Sequence, residues 1–150
     1  MNLQKFLNQD LQGNDEFVTD GNILLVKEAI QCKNILDYFY RNKINNAFSV
    51  CFEDMLAAAT PFESGDIVVR TNVHTIKHPT GTEFSLFKCL DDNACYAFDK
   101  EYIDFIERYI QPDHYTIIKK KYNGEHILKF WSFYGNFLGC LATCDIAIKV

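Results

Sequence analysis

The stretch CYAFDKEYIDFIERYIQPD, Cys95 to Asp113, holds the strongest periodic signal in the chain. Asp99 is a good N-cap, because its carboxylate can accept from the first free backbone N–H groups of a helix. Behind it Tyr102, Ile103, Phe105, Ile106, Tyr109 and Ile110 recur at helical spacing and make one apolar face. Gln111-Pro112-Asp113 stops the helix, since proline cannot continue the hydrogen-bond ladder. Ala94 to Phe98 reads as the strand that leads in. Three strands are expected behind the helix: Tyr115 to Tyr122, His126 to Phe133 and Phe137 to Ile148. Turns at Asn123-Gly124 and Tyr134-Gly135-Asn136 separate them. A helix with a wide apolar face must lie against another layer, and these strands supply it.

The 150 residues suit one domain, long enough to bury a core without staples. A formal net charge of −5 argues against nucleic-acid binding by the whole surface, because phosphate recognition needs a positive field. Met1 to Asn14 is polar, with no apolar core of a secretory signal, and no apolar run is long enough to span a bilayer. A cytoplasmic chain without membrane contact is therefore expected. Its six cysteines, Cys32, Cys51, Cys89, Cys95, Cys140 and Cys144, are then reduced thiols that act as small apolar side chains.

Working outward, Thr82 to Leu90 alternates as a strand, and Asp91-Asp92-Asn93 is a turn. Asp66 to Lys77 reads as two strands or one bent strand, followed by a turn at Pro79-Thr80-Gly81. Ala47 to Cys51 reads as a short strand. Phe52 to Thr60 is expected to be a helix: Phe52, Met55, Leu56 and Ala59 share a face, Glu53 and Asp54 sit early, where the helix dipole favours them, and Pro61 ends it. Residues 1–46 are expected to form an N-terminal arm, a hairpin and a short helix. In the arm, Leu3, Phe6, Leu7 and Leu11 allow either a short amphipathic turn or a loose end. Asp20-Gly21 joins the paired strands Phe17–Thr19 and Asn22–Lys27, and Lys33 to Asn42 reads as the helix. Residues 47–150 would be the main α+β unit, continuous with the first in one compact body.

From Ala47 onward, the order strand, helix, several strands, strand, helix, three strands resembles the repeat of the DNA sliding-clamp fold. Phe52-Glu-Asp-Met-Leu-Ala-Ala-Ala59 looks like the first clamp helix, and Asp66 to Lys77 like the strand pair after it. Ala97-Phe98-Asp99 to Ile110 looks like the second helix of the bacterial sliding clamp. Upstream, Phe17-Val-Thr-Asp-Gly-Asn-Ile-Leu-Leu25 is similar to the hairpin of a preceding clamp domain. The resemblance implies a DNA-clamp-like α+β fold, with two helices packed on an antiparallel sheet. It departs from the family in having room for about one domain where a bacterial clamp subunit has three. Leu138-Gly-Cys-Leu-Ala-Thr-Cys-Asp-Ile146 also stands where the clamp's Met-Pro tail would be. A single divergent domain of this kind fits phage and mobile-element proteins.

The resemblance also implies two places to look for binding. A clamp turns its helices toward DNA, and here the helix after Asp99 carries Lys100, Glu101, Asp104, Glu107 and Arg108, a mixed solvated face. The basic run Lys119-Lys120-Lys121 puts Lys119 and Lys121 on one side of a strand, where they can meet a phosphate backbone or guard an edge strand against pairing. The clamp's apolar peptide pocket would map onto Leu138, Leu141, Ala142 and Cys144. Independently of any resemblance, Phe130, Trp131, Phe133, Tyr134 and Phe137 form the densest aromatic cluster. They are either core or, where exposed, a protein-binding hot spot with Trp131 and Phe133 on one face.

No catalytic constellation is expected. His74 and His78 fall on a strand and a turn, as surface histidines. The cysteines lack close metal-site pairing, although two strand ends could gather four of them in space. Asp91-Asp92 and Asp20-Gly21 are explained by turn chemistry. There is no glycine-rich phosphate loop, nucleophile elbow or zincin motif, so neither a cofactor nor a metal is expected. The chain therefore reads as a non-enzymatic interaction module that binds or inhibits a host protein, or assembles with itself as a homo-oligomer. A DNA-encircling processivity factor and a small unrecognised enzyme are the alternatives.

Overall fold

The computed structural model describes Phe6 and residues 11–31, 65–77, 81, 83–122, 125–142 and 147–148. The helices expected over Lys33–Asn42 and Phe52–Thr60, the strand at Ala47–Cys51, His78 and Cys144 lie outside these residues. In chain order the strands are β1 (Gln12–Gly13), β2 (Phe17–Thr19), β3 (Ile23–Val26), β4 (Asp66–Lys77), β5 (Glu83–Cys89) and β6 (Cys95–Asp99). Helix α1 (Lys100–Tyr109) follows, and then β7 (His114–Tyr122), β8 (Glu125–Trp131), β9 (Phe137–Ala142) and β10 (Ala147–Ile148).

All ten strands join one antiparallel sheet, in the order β1-β2-β3-β9-β8-β7-β4-β5-β6-β10. This corrects the expected α+β clamp-like architecture of two helices on a sheet. The protein is mostly β, with one α-helix among the described residues. The physical reason lies in the pairing. Short turns let consecutive strands add to one another as hairpins, and β3 closes onto β9 with Ile23 opposite Leu141. The N-terminal hairpin is thereby an extension of the main sheet. Strand β4 is the bent single strand foreseen for Asp66 to Lys77, its register against β5 shifting between Arg70 and Thr75. The run from Phe137 to Ile148 divides in two: β9 stays beside β8, while β10 pairs with β6 at the far edge.

The sheet curls. The rings of Tyr96 on β6 and His126 on β8 lie 4.9 Å apart, although β7, β4 and β5 separate their strands. Four flat inter-strand steps would hold them roughly 19 Å apart. The inner face so formed wraps α1. Tyr102, Ile103, Phe105, Ile106 and Ile110 pack there with Val18, Leu25, Val68, Phe87, Phe98, Tyr115, Phe130 and Leu141 in one continuous core.

Three further contacts hold the helix. Asp99 caps it, accepting from Glu101 N at 2.9 Å. Tyr102 donates its hydroxyl proton to the Asp20 carboxylate in the β2–β3 turn, and Asn22 Nδ2 donates to the same hydroxyl at 3.3 Å. Arg70 on β4 reaches Glu107 at 2.5 Å and Asp104 at 3.4 Å on the helix's solvent side. Gln111 ends the helix at φ +54, and Pro112 prevents its continuation.

The outer face is organised differently. Phe17, Leu24, Ile118, Ile127 and Cys140 form one buried cluster, and Phe84, Leu86 and Ala97 form another. Between them β4 presents Ile67 and Val69 to solvent.

Candidate interaction surface at the β8–β9 hairpin

Residues Ser132 to Asn136 connect β8 to β9. Gly135 takes φ +82, a conformation that glycine adopts without steric cost. Three hydrogen bonds close the loop: Gly135 N to Ser132 O at 2.9 Å, Ser132 N to Asn136 O at 2.9 Å and Asn136 N to Ser132 Oγ at 3.0 Å. A loop tied this way fixes the direction of the two residues at its tip. Phe133 is 77% exposed and Tyr134 87% exposed. Their rings meet edge to face at 5.4 Å, so they stand out as one aromatic unit.

The base of the hairpin is rigid. Trp131 is half-buried, and its Nε1 donates to Thr116 Oγ1 at 2.8 Å. Its ring stacks edge to face on Phe137 at 5.7 Å. The Lys129 ammonium lies 5.8 Å from the Trp131 ring centre and 5.7 Å from that of Phe137, within reach of a cation–π attraction. Lys129 is fully buried. The apex is thus carried on a packed, hydrogen-bonded base.

The other residues singled out from the sequence fall elsewhere. Leu141 is in the inner core, with Leu138 packed against it. Cys144 lies outside the described residues. Only Phe133 and Trp131 of that set belong to the hairpin end. Tyr134, the most exposed aromatic of all, was read as part of a turn. An aromatic ring in a tight turn has no core to enter, and that is the signal that finds it.

The Lys119 ammonium lies 3.0 Å from Asp92, 3.4 Å from Asp91 and 3.7 Å from Asp66. Asp92 is its nearest partner, and this contact raises the lysine pKa above its ordinary value. A charge countered by three carboxylates has little left for a phosphate. Lys121 lies on β7. On the exposed side of α1, Glu101, Asp104 and Glu107 stand beside Lys100 and Arg108.

Among the described residues no three His, Cys, Asp or Glu side chains gather in a way that could hold a metal ion. Burial pushes the Cys140 thiol up to about 12, with the nearby Lys129 charge acting weakly against it. A thiol held protonated in this way is a poor nucleophile. Among the described residues no helix is long and apolar enough to cross a membrane. Compared with known proteins, the chain matches no family model, no curated protein and no solved structure.

Proposed function

We propose that this chain is a non-enzymatic protein-interaction module whose β8–β9 apex inserts into an apolar pocket of a partner protein. The observation that carries this reading is the pair Phe133 and Tyr134, 77% and 87% exposed at the tip of a tied turn. Two adjacent large aromatics in water make no contribution to the core. Aromatic anchors of this kind dominate binding energy when a partner pocket covers them. The apex is convex, so its counterpart is concave. The charged side chains nearest it in sequence are Asp113 and His114, which pair with each other at 2.9 Å, and the buried Lys129. An anionic lipid surface would find no exposed cation there, and the overall charge of −5 would oppose its approach. A protein pocket suits the site better. The compensated Lys119 and the acidic side of α1 likewise favour a protein partner over DNA.

The test compares wild type with a Phe133→Ser/Tyr134→Ser double variant as baits in bacterial lysate, using quantitative mass spectrometry. Truncating anchors of this class costs about 2 kcal/mol or more each, so a true partner should drop by more than about tenfold. The melting temperature should stay unchanged, because neither ring is part of the core. Equal recovery of every captured protein by the two baits would refute the reading.

A further inference from the structure

A second surface stands apart from the hairpin apex. On the outer face Ile67 is 54% exposed, Val69 43% and Leu90 59%. The three are contiguous. Leu90 N donates to Ile67 O at 3.1 Å, and Val69 lies opposite Lys88 across the β4–β5 ladder. Their exposure is not an edge effect, since β4 and β5 sit well inside the sheet and the outward residues on both sides are buried. Monomeric proteins rarely leave a contiguous apolar patch on the interior of a sheet.

The charges around the stripe are polarised. Lys88, exposed and beside Val69, has no carboxylate within ion-pair distance among the described residues. At the other end Leu90 runs into Asp91 and Asp92, which with Asp66 outnumber the one ammonium of Lys119 between them. The stripe therefore has a positive end, an apolar middle and a negative end. Turned by 180° about an axis through its middle, such a strip is complementary to itself. That is the requirement for an isologous contact.

We propose that this stripe is where two copies of the chain meet about a two-fold axis. Ile67, Val69 and Leu90 form the apolar centre, and Lys88 of each copy faces Asp91 of the other. A chain of net charge −5 repels its own copy at long range, so attraction has to come from local pairing of this kind. The stripe is small, and the dimer is accordingly weak and concentration-dependent.

Sedimentation of the full chain from micromolar to millimolar concentration tests the proposal. The average mass should rise from 17.4 kDa toward twice that value, and less so in high salt. Val69→Asp should hold the chain monomeric, with Leu90→Ser as the second variant should the first not fold. Lys88→Asp and Asp91→Lys should each weaken the dimer by about tenfold, the scale of one close charge pair in an interface. Placed together in one chain, they should restore it, because each reversed charge meets its reversed partner across the axis. Phe133→Ser/Tyr134→Ser should leave the mass unchanged, so this proposal and the one for the hairpin apex fail separately. A monomer at every concentration, a dimer indifferent to both Val69→Asp and Leu90→Ser, or single charge reversals that the double variant does not rescue would each overturn it.

Discussion

The two faces of the sheet meet their apolar side chains in different ways. The inner face puts Phe87, Phe98, Tyr115 and Phe130 under a helix that contributes Ile103, Phe105 and Ile106, and leaves none of them in water. The outer face splits into two buried clusters with Ile67 and Val69 exposed between them. Burial on the inner face explains why the chain folds. Exposure on the outer face cannot be explained by folding, because an exposed apolar side chain contributes almost nothing to stability. The same holds for Phe133 and Tyr134 at the hairpin apex.

The contrast breaks most visibly at the helix. Phe105 is 2% exposed and its ring lies 5.0 Å from Phe6 and 5.0 Å from Tyr109. Phe105→Ala should cost about 3–5 kcal/mol, seen as a lower urea midpoint with an unchanged slope. Next is Gly139, where β3, β8 and β9 come closest. A Cβ there would run into Leu24 O and lie 2.5 Å from the Phe130 ring. Gly139→Ala should destabilise by about 1–3 kcal/mol, because backbone on one side and a packed ring on the other must both yield.

A smaller effect is read from pH. The Cys140 thiol is raised from 9.0 to about 12 by burial, so the unfolded chain releases this proton first. Below about 9 the thiol's contribution to stability is complete; between about 9 and 12 the folded state binds more protons and stability falls as pH rises. Urea midpoints measured across that window should fall more steeply for wild type than for Cys140→Ala. The smallest effect belongs to the outer stripe. Ile67→Thr should change stability by no more than about 0.5 kcal/mol. A cost comparable to that of Phe105→Ala would show that the stripe belongs to the core after all.

Local signals in the sequence located the elements well. The cap at Asp99, the periodicity to Ile110 and the stop at Pro112 mark α1, which runs from Lys100 to Tyr109. The Asp20-Gly21 turn marks β2 and β3, paired with Val18 opposite Leu25. These features depend on neighbours in the chain, and neighbours are what a pattern records. Pairing between distant strands is not recorded that way. Nothing in Ile23–Val26 points to Phe137–Ala142, and nothing in Ala147–Ile148 points to Cys95–Asp99. A clamp-like template supplied that missing information in the form of two helices on a sheet, and the ten-stranded sheet replaced it. At the hairpin, the aromatic cluster was visible, but its division was not. The alternation that put Trp131 and Phe133 on one strand face ends at Trp131, where β8 stops and the turn carries Phe133 outward.

The partnership of β3 with β9 also sets the order in which the protein can assemble. Ile23 waits for Leu141, so during synthesis the first hairpin leaves the ribosome long before its neighbour exists. Contacts between ends of the chain this far apart slow folding, because the intervening loop must close before they stabilise anything. Until then β3 carries Ile23, Leu24 and Leu25 on an unpaired edge, and that segment is where the nascent chain is most open to aggregation and most in need of a chaperone.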